Sequence, residues 1–245
     1  MNRMAKDAQH KKETYLEEYV RETRTHAYSL ILVLPLVLIY EAGILLVNEY
    51  SFRKADVLAN EIIVLLFEKL GLRNVNIIPA ILVLGILFLL QFKSGKKWNI
   101  RFSNILLLHG EYIMYAVLFF AAVAWIFPGR LIFRMPEPVY IILSIGAGIY
   151  EEFLFRLVFL SILIYFFEKS LKVENRRTIY VAVVISAICF AGFHHLLGSE
   201  HFRWADFFVR SAGGVYFGYI FLTRGYGVCA GTHIGFNILR LMFCG

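Results

Sequence analysis

The chain has 245 residues, 59% hydrophobic, 16% aromatic and only 18% charged, with a mean hydropathy of +0.66. A soluble domain carries roughly 25% charged residues, so a water-soluble globule and a disordered chain are both excluded and an integral membrane protein is indicated. The formal charge of +7 is scattered over short segments between apolar runs, without the basic groove of a nucleic-acid binder, so no nucleic-acid partner is expected.

The opening segment, 1–26, is polar and holds six Lys and Arg residues. It lacks the apolar stretch of a cleavable signal peptide and reads as a basic cytoplasmic tail. A helix needs about 20 mainly apolar residues to cross a ~30 Å hydrocarbon core. Seven runs approach that length, at 27–47, 75–92, 105–127, 139–167, 179–197, 207–223 and 227–243. The stretch 60–72 is short and interrupted by Glu61, Glu68 and Lys69, but its apolar residues recur at helical spacing, so it lies in the interface or forms a partial eighth span. The expectation is an all-α polytopic transmembrane helix bundle of seven to eight spans around a polar intramembrane cavity.

Cys189, Cys229 and Cys244 fall inside apolar runs and are odd in number, so they are expected to pack rather than form a disulfide framework. Alternate connections, with Arg224 counted in the last of them, carry fifteen Lys and Arg residues on the side of the N-terminus and seven on the other. The cytoplasmic side carries the excess, so the N-terminus is expected inside, in a membrane such as the bacterial inner membrane, with anionic lipid as a partner.

An acid or base within a span costs several kcal/mol by insertion scales (about +2.5 to +3.5 for Asp, Lys or Arg), so each needs a reason. The chain concentrates such residues in its second half. Glu151, Glu152 and Arg156 fall in the fourth run; Glu152 and Arg156 stand i, i+4 in the favourable acid-first order, while Glu151 is turned about 100° away. One carboxylate is thus expected to be clamped and the other left for chemistry. The fifth run ends in His194 and His195. On the seventh, His233 and Asn237 share a face, and Gly227, Gly231 and Gly235 form the opposite one, suited to close helix packing. Glu41 and Arg210 are expected to pair within the bundle or reach its surface. His10, His26, His109 and His201 read as interfacial or loop residues.

A carboxylate, imidazoles and an amide on separate helices can activate water and stabilise an oxyanion. Other intramembrane protease chemistries lack their parts. The three aspartates, Asp7, Asp56 and Asp206, lie outside the deep spans, no His-Glu-x-x-His occurs, and serines such as Ser186 and Ser211 lack a Gly-x-Ser-x-Gly setting.

In order, Glu151-Glu152-x-x-x-Arg156, Phe190-x-x-x-His194 and His233-x-x-x-Asn237 resemble the CPBP family, which comprises type II CAAX-processing endopeptidases and bacteriocin-processing or immunity relatives and is also called Abi. The resemblance covers 105–245 and makes that region a CPBP-like catalytic core, with 27–104 an accessory transmembrane region and 1–26 the tail. It implies an intramembrane glutamic endopeptidase acting on a membrane-associated or exported protein. Glu151 would polarise water with His194, His233 and Asn237 would stabilise the oxyanion, and Glu152 and Arg156 would support them. No cofactor is expected from this resemblance. Two alternatives stand beside it: a zinc-dependent variant with Glu151, His194 and His233 as ligands, and a non-catalytic immunity or binding protein. A departure follows the second motif, where Gly198 stands four residues beyond His194, and His195 has no assigned role.

Overall fold

Long apolar runs bounded by charge, Gly and Pro form long helices. The computed structural model describes residues 14–50, 56–72, 75–127, 133–169, 176–196 and 202–244, and these form helices and their connections with no strand among them. Asp7, His10, Gly198 and His201 lie outside the described residues.

The first helix, α1 (Tyr15–Thr23), opens with a reciprocal cap: Thr14 Oγ1 accepts from the Glu17 backbone N–H, and the Glu17 carboxylate accepts from that of Thr14. There follow α2 (His26–Tyr50), α3 (Leu58–Lys69), α4 (Ile78–Lys93) and α5 (Phe102–Ile126). The second half contains α6 (Pro138–Glu152), a π-helical segment (Phe153–Leu160), α7 (Ser161–Lys169), α8 (Arg176–Leu196), α9 (Trp204–Arg224) and α10 (Tyr226–Cys244).

The segments His26–Asn48, Phe102–Ile126, Arg177–Leu196 and Tyr226–Cys244 are each long and apolar enough to cross a bilayer, and Ile78–Lys93 is a shorter apolar helix. Outward-facing residues on these helices are apolar, with Leu45 70% and Trp125 84% exposed. Such a surface is stable in lipid and not in water, and the protein is an integral membrane protein.

Helix α2 packs on α6 and α10 through one buried cluster that includes Val33, Val37, Ile149, Tyr150 and Ala230. A second cluster, built on Phe119, Phe217 and Phe236, joins α5, α9 and α10. Glycines permit these approaches. A Cβ on Gly227 would stand 2.7 Å from Ser29 Cα of α2, and one on Gly231 would meet the Tyr112 ring of α5 at 2.8 Å. On α9, a Cβ on Gly214 would lie 2.7 Å from Ala187 Cα of α8, a backbone atom that can move only with its helix. Gly214→Ala is therefore expected to destabilise the protein by about 1–3 kcal/mol, seen as a lowered melting temperature in detergent; an unchanged melt would show that the α8–α9 contact is loose. Gly225, with φ of +89°, makes the abrupt turn from α9 to α10.

Polar residues are not confined to the second half of the bundle. Arg224, expected in a loop, is 5% exposed and bonds both carboxylate oxygens of Glu111 on α5, along with Thr23 Oγ1 at 2.9 Å. Its position at the end of α9 lets the guanidinium fold back under the bundle, where the forked pair satisfies two buried charges at once. Glu41 on α2 accepts a 2.6 Å hydrogen bond from Tyr150, the residue before Glu151, and the adjacent Tyr40 donates to Asp56.

The fourth expected run is one helical path from 138 to 169 but not a uniform α-helix. The π turns widen it just after the two glutamates. Ser186 Oγ of α8 donates to the Phe155 carbonyl at 2.9 Å and Ser161 Oγ to that of Arg156 at 3.4 Å, so hydroxyls take up carbonyls in the altered ladder.

Candidate active site

Four helices meet around the glutamate pair. Glu151 and Glu152 end α6, His194 lies near the end of α8, Phe217 is on α9, and Cys229 and His233 are on α10. Glu152 is completely buried and Glu151 is 6% exposed, so every lone pair of the first must be met inside the protein.

Glu152 meets that requirement with three donors. Arg156 Nε lies 3.0 Å from Oε2, Cys229 Sγ donates to the same oxygen at 3.1 Å, and His233 Nδ1 lies 2.7 Å from Oε1. The i, i+4 pair expected from the sequence is present, and it is one part of a larger cluster. Because a carboxylate only accepts, the Nδ1–H of His233 points at Glu152 and Nε2 is turned the other way. The ring of His233 is held from above by Phe217, stacked at 4.6 Å with 16° between planes. The Arg156 guanidinium lies 4.5 Å from the Phe190 ring centroid and 5.7 Å from that of Phe217, so two aromatic faces cover the buried cation.

Glu151 meets both imidazoles at their outer nitrogens. His194 Nε2 stands 3.4 Å from Oε1, and His233 Nε2 stands 3.9 Å from Oε2. His194 Nδ1 lies 3.0 Å from the Phe190 carbonyl, an obligate acceptor, so this nitrogen carries a proton and the Nε2 edge is presented to Glu151. Arg156 Nη1 is buried with no hydrogen-bond partner among the described residues.

Asn237 stands one helical turn beyond His233 and lines a cleft of about 370 Å³ with Tyr140, Ser144 and Ala147 of α6 and Arg240 of α10. It shares the face of His233 without touching Glu151. His195 points elsewhere: its ring is packed edge-on at 4.9 Å against Phe202, and both ring nitrogens are buried without a partner among the described residues. Arg210 lines a second cleft, of about 400 Å³, between α5, α9 and α10.

The three motifs therefore converge at Glu151, Glu152, Arg156, His194 and His233. Two further residues, Cys229 and Phe217, complete the cluster. Cys229 is four residues before His233, and that spacing is the one signal that could have drawn it from the packing role expected of the cysteines. Among the described residues, no group of three or more His, Cys, Asp and Glu side chains has the arrangement of a metal-binding set.

Residues 133–239 match the family described as Rce1-like, type II CAAX prenyl endopeptidase Rce1-like. The matched stretch holds all three motifs and begins later than the resemblance noted from the sequence, which starts at 105. No curated protein and no solved structure matches the chain.

Proposed function

We propose, from the match of residues 133–239 to the type II CAAX prenyl endopeptidase family, that the protein hydrolyses a peptide bond of a membrane-associated or exported protein with a glutamate-activated water. The observation that carries this reading is the buried Glu151 carboxylate facing His194 Nε2 at 3.4 Å and His233 Nε2 at 3.9 Å. A water seated beside Oε1 can hydrogen-bond to both Glu151 and His194. Glu151 removes its proton as the oxygen attacks the scissile carbonyl, and the same carboxyl then returns the proton to the leaving amine.

His233 and Asn237 take the role of oxyanion donors. To donate from Nε2 as well as from Nδ1, His233 must carry both ring protons, and the Glu152 carboxylate 2.7 Å from Nδ1 supplies the counter-charge. That state has both ring N–H groups in use, Nδ1 on Glu152 and Nε2 toward the developing oxyanion. Glu152 thus orients the donor in the way a second carboxylate orients an imidazole elsewhere in acyl-transfer chemistry. Asn237, one turn nearer the mouth, reaches the substrate from the same face.

The excess of Lys and Arg beside the N-terminus favours a cytoplasmic N-terminus in a bacterial inner membrane. The ends of α8 and α10 and the start of α6, where the clefts lie, then face the opposite side, which suits a substrate delivered there. Membrane and secreted proteins from cells with the wild type and with Glu151→Gln are compared for altered peptide termini. A small set of termini made only by the wild type is expected, and an identical set in both would return the protein to the binding or immunity reading. Purified protein is expected to hold far less than one zinc per chain and to stay active in chelator. Stoichiometric zinc with loss of activity on chelation would favour Glu151, His194 and His233 as ligands instead.

A further inference from the structure

Glu151 is more loosely held than its neighbour. Its two imidazole nitrogens stand 3.4 and 3.9 Å away, whereas the three donors to Glu152 lie at 2.7, 3.0 and 3.1 Å. The direction of the Glu151 carboxylate is therefore set chiefly by the backbone that carries it, and that backbone lies at the edge of the regular α ladder. Where α6 gives way to the π turns, the Phe153 N–H is shared between the Ile149 and Tyr150 carbonyls. A shared proton leaves each carbonyl more weakly bonded than an unbroken α ladder would.

Tyr226 supplies the missing bond at Ile149. Its hydroxyl donates to the Ile149 carbonyl at 2.7 Å, and its side chain is 1% exposed. Along α10, Tyr226, Cys229 and His233 stand at i, i+3 and i+7 on one face, and all three donate to residues 149–152 of α6. Gly148 lets the helices close at this level, since a Cβ there would lie 2.9 Å from the Ala230 carbonyl. Cys229 and His233 both bond the Glu152 side chain, so Tyr226 is the one of the three that acts on the backbone ahead of Glu151. The end of α10 that carries it is itself anchored. The Gly227 N–H donates to Ser29 Oγ of α2 at 3.1 Å, and the preceding Arg224 is tied to Glu111 and Thr23. On α2, Glu41 holds the Tyr150 hydroxyl at 2.6 Å, so both residues before Glu151 are fixed from outside their helix.

Resting on the protease reading, we infer that Tyr226 is a positioning residue for Glu151: its hydroxyl fixes the last α turn of α6, and with it the separation of the Glu151 carboxylate from the His194 and His233 imidazoles. Tyr226 touches no reacting atom in this arrangement. A general base is effective only when the water it activates is aimed at the carbonyl, and a misplacement of about 1 Å can cost roughly 10²-fold in rate. Peptide binding, which depends on the surrounding surfaces, is left as it was. Loss of the hydroxyl therefore acts on kcat and not on KM.

The test compares two substitutions that each take one tyrosine hydroxyl from a carbonyl of a neighbouring helix. Tyr226→Phe removes the donor to Ile149. Tyr216→Phe removes the 2.9 Å donor to the Tyr115 carbonyl of α5, a helix that bears no residue of the glutamate cluster. With a peptide spanning a terminus found in cells, Tyr226→Phe is expected to lower kcat about tenfold with KM within about twofold of the wild type, and Tyr216→Phe to leave both within about twofold. An unchanged kcat in Tyr226→Phe overturns the inference, as does a change confined to KM. An equal loss in Tyr216→Phe also overturns it, since the effect would then be one of general stability. Hydrogen exchange read by mass spectrometry in detergent follows the same bond without turnover. Peptides covering 149–156 are expected to exchange about fivefold faster in Tyr226→Phe and at the wild-type rate in Tyr216→Phe. Unaltered exchange in Tyr226→Phe overturns the positioning role whatever the activity. The protease reading fails by a different result, identical protein termini in cells with the wild type and with Glu151→Gln.

Discussion

Glu151→Gln is expected to lose at least about 10³-fold in peptide turnover while the protein folds, inserts and melts as the wild type does. The amide keeps the shape of the carboxylate and one acceptor oxygen, so packing at the end of α6 is preserved. What it loses is the capacity to take a proton from water, and a positioned general base is worth 10²–10⁴-fold. The buried setting adds to the loss, since no other carboxylate stands in reach: Glu152 is committed to Arg156, His233 and Cys229. The measurement is cleavage of a peptide spanning a terminus found in cells, with the melting temperature recorded on the same preparation. Full activity in Glu151→Gln would sink the assignment of Glu151 as the base.

The second large effect is on stability. Arg156→Met is expected to cost about 3–5 kcal/mol, because it strands the Glu152 carboxylate in an interior with no exposure. The penalty comes from the charge left behind, so it should be relieved by removing that charge. The double variant Glu152→Gln/Arg156→Met is expected to recover most of the melting temperature and yet remain poorly active, because His233 has lost the carboxylate that fixes its Nδ1–H. The pair of measurements separates two roles in one cluster. A single variant that melts like the wild type would show that Arg156 does not hold Glu152, and a double variant with full activity would remove Glu152 from the positioning of His233.

Both effects depend on residues whose chemistry is legible in the sequence. Glu151, Glu152 and Arg156 stand out because charge within an apolar run is costly, and the i, i+4 spacing of Glu152 and Arg156 already pairs them on one helix. The helix positions follow from the same cost. Apolar runs at 27–47, 105–127, 179–197 and 227–243 become α2, α5, α8 and α10 to within a few residues, since an unsatisfied backbone cannot exist in lipid and a helix is the local solution.

Other features needed the assembled bundle. The sequence spacing puts Glu151 off the Glu152 face, but only the meeting of α6 with α8 and α10 decides that its neighbours are His194 and His233. The ring of Phe217 carries no local mark of a site and the thiol of Cys229 only its spacing from His233, and they join it because α10 and α9 pack beside α6. Arg224 looks like a loop residue by position and is buried because Glu111, 113 positions away, lies under it. Ser186 has no visible purpose until α8 meets the π turns of its neighbour. By itself the sequence determined where the chain must be helical and which groups are too polar for lipid, because both are set by transfer from water within one segment. The tertiary structure decided which donor each buried acceptor receives, because that pairing is made between segments far apart in the chain, at distances fixed only when the helices close.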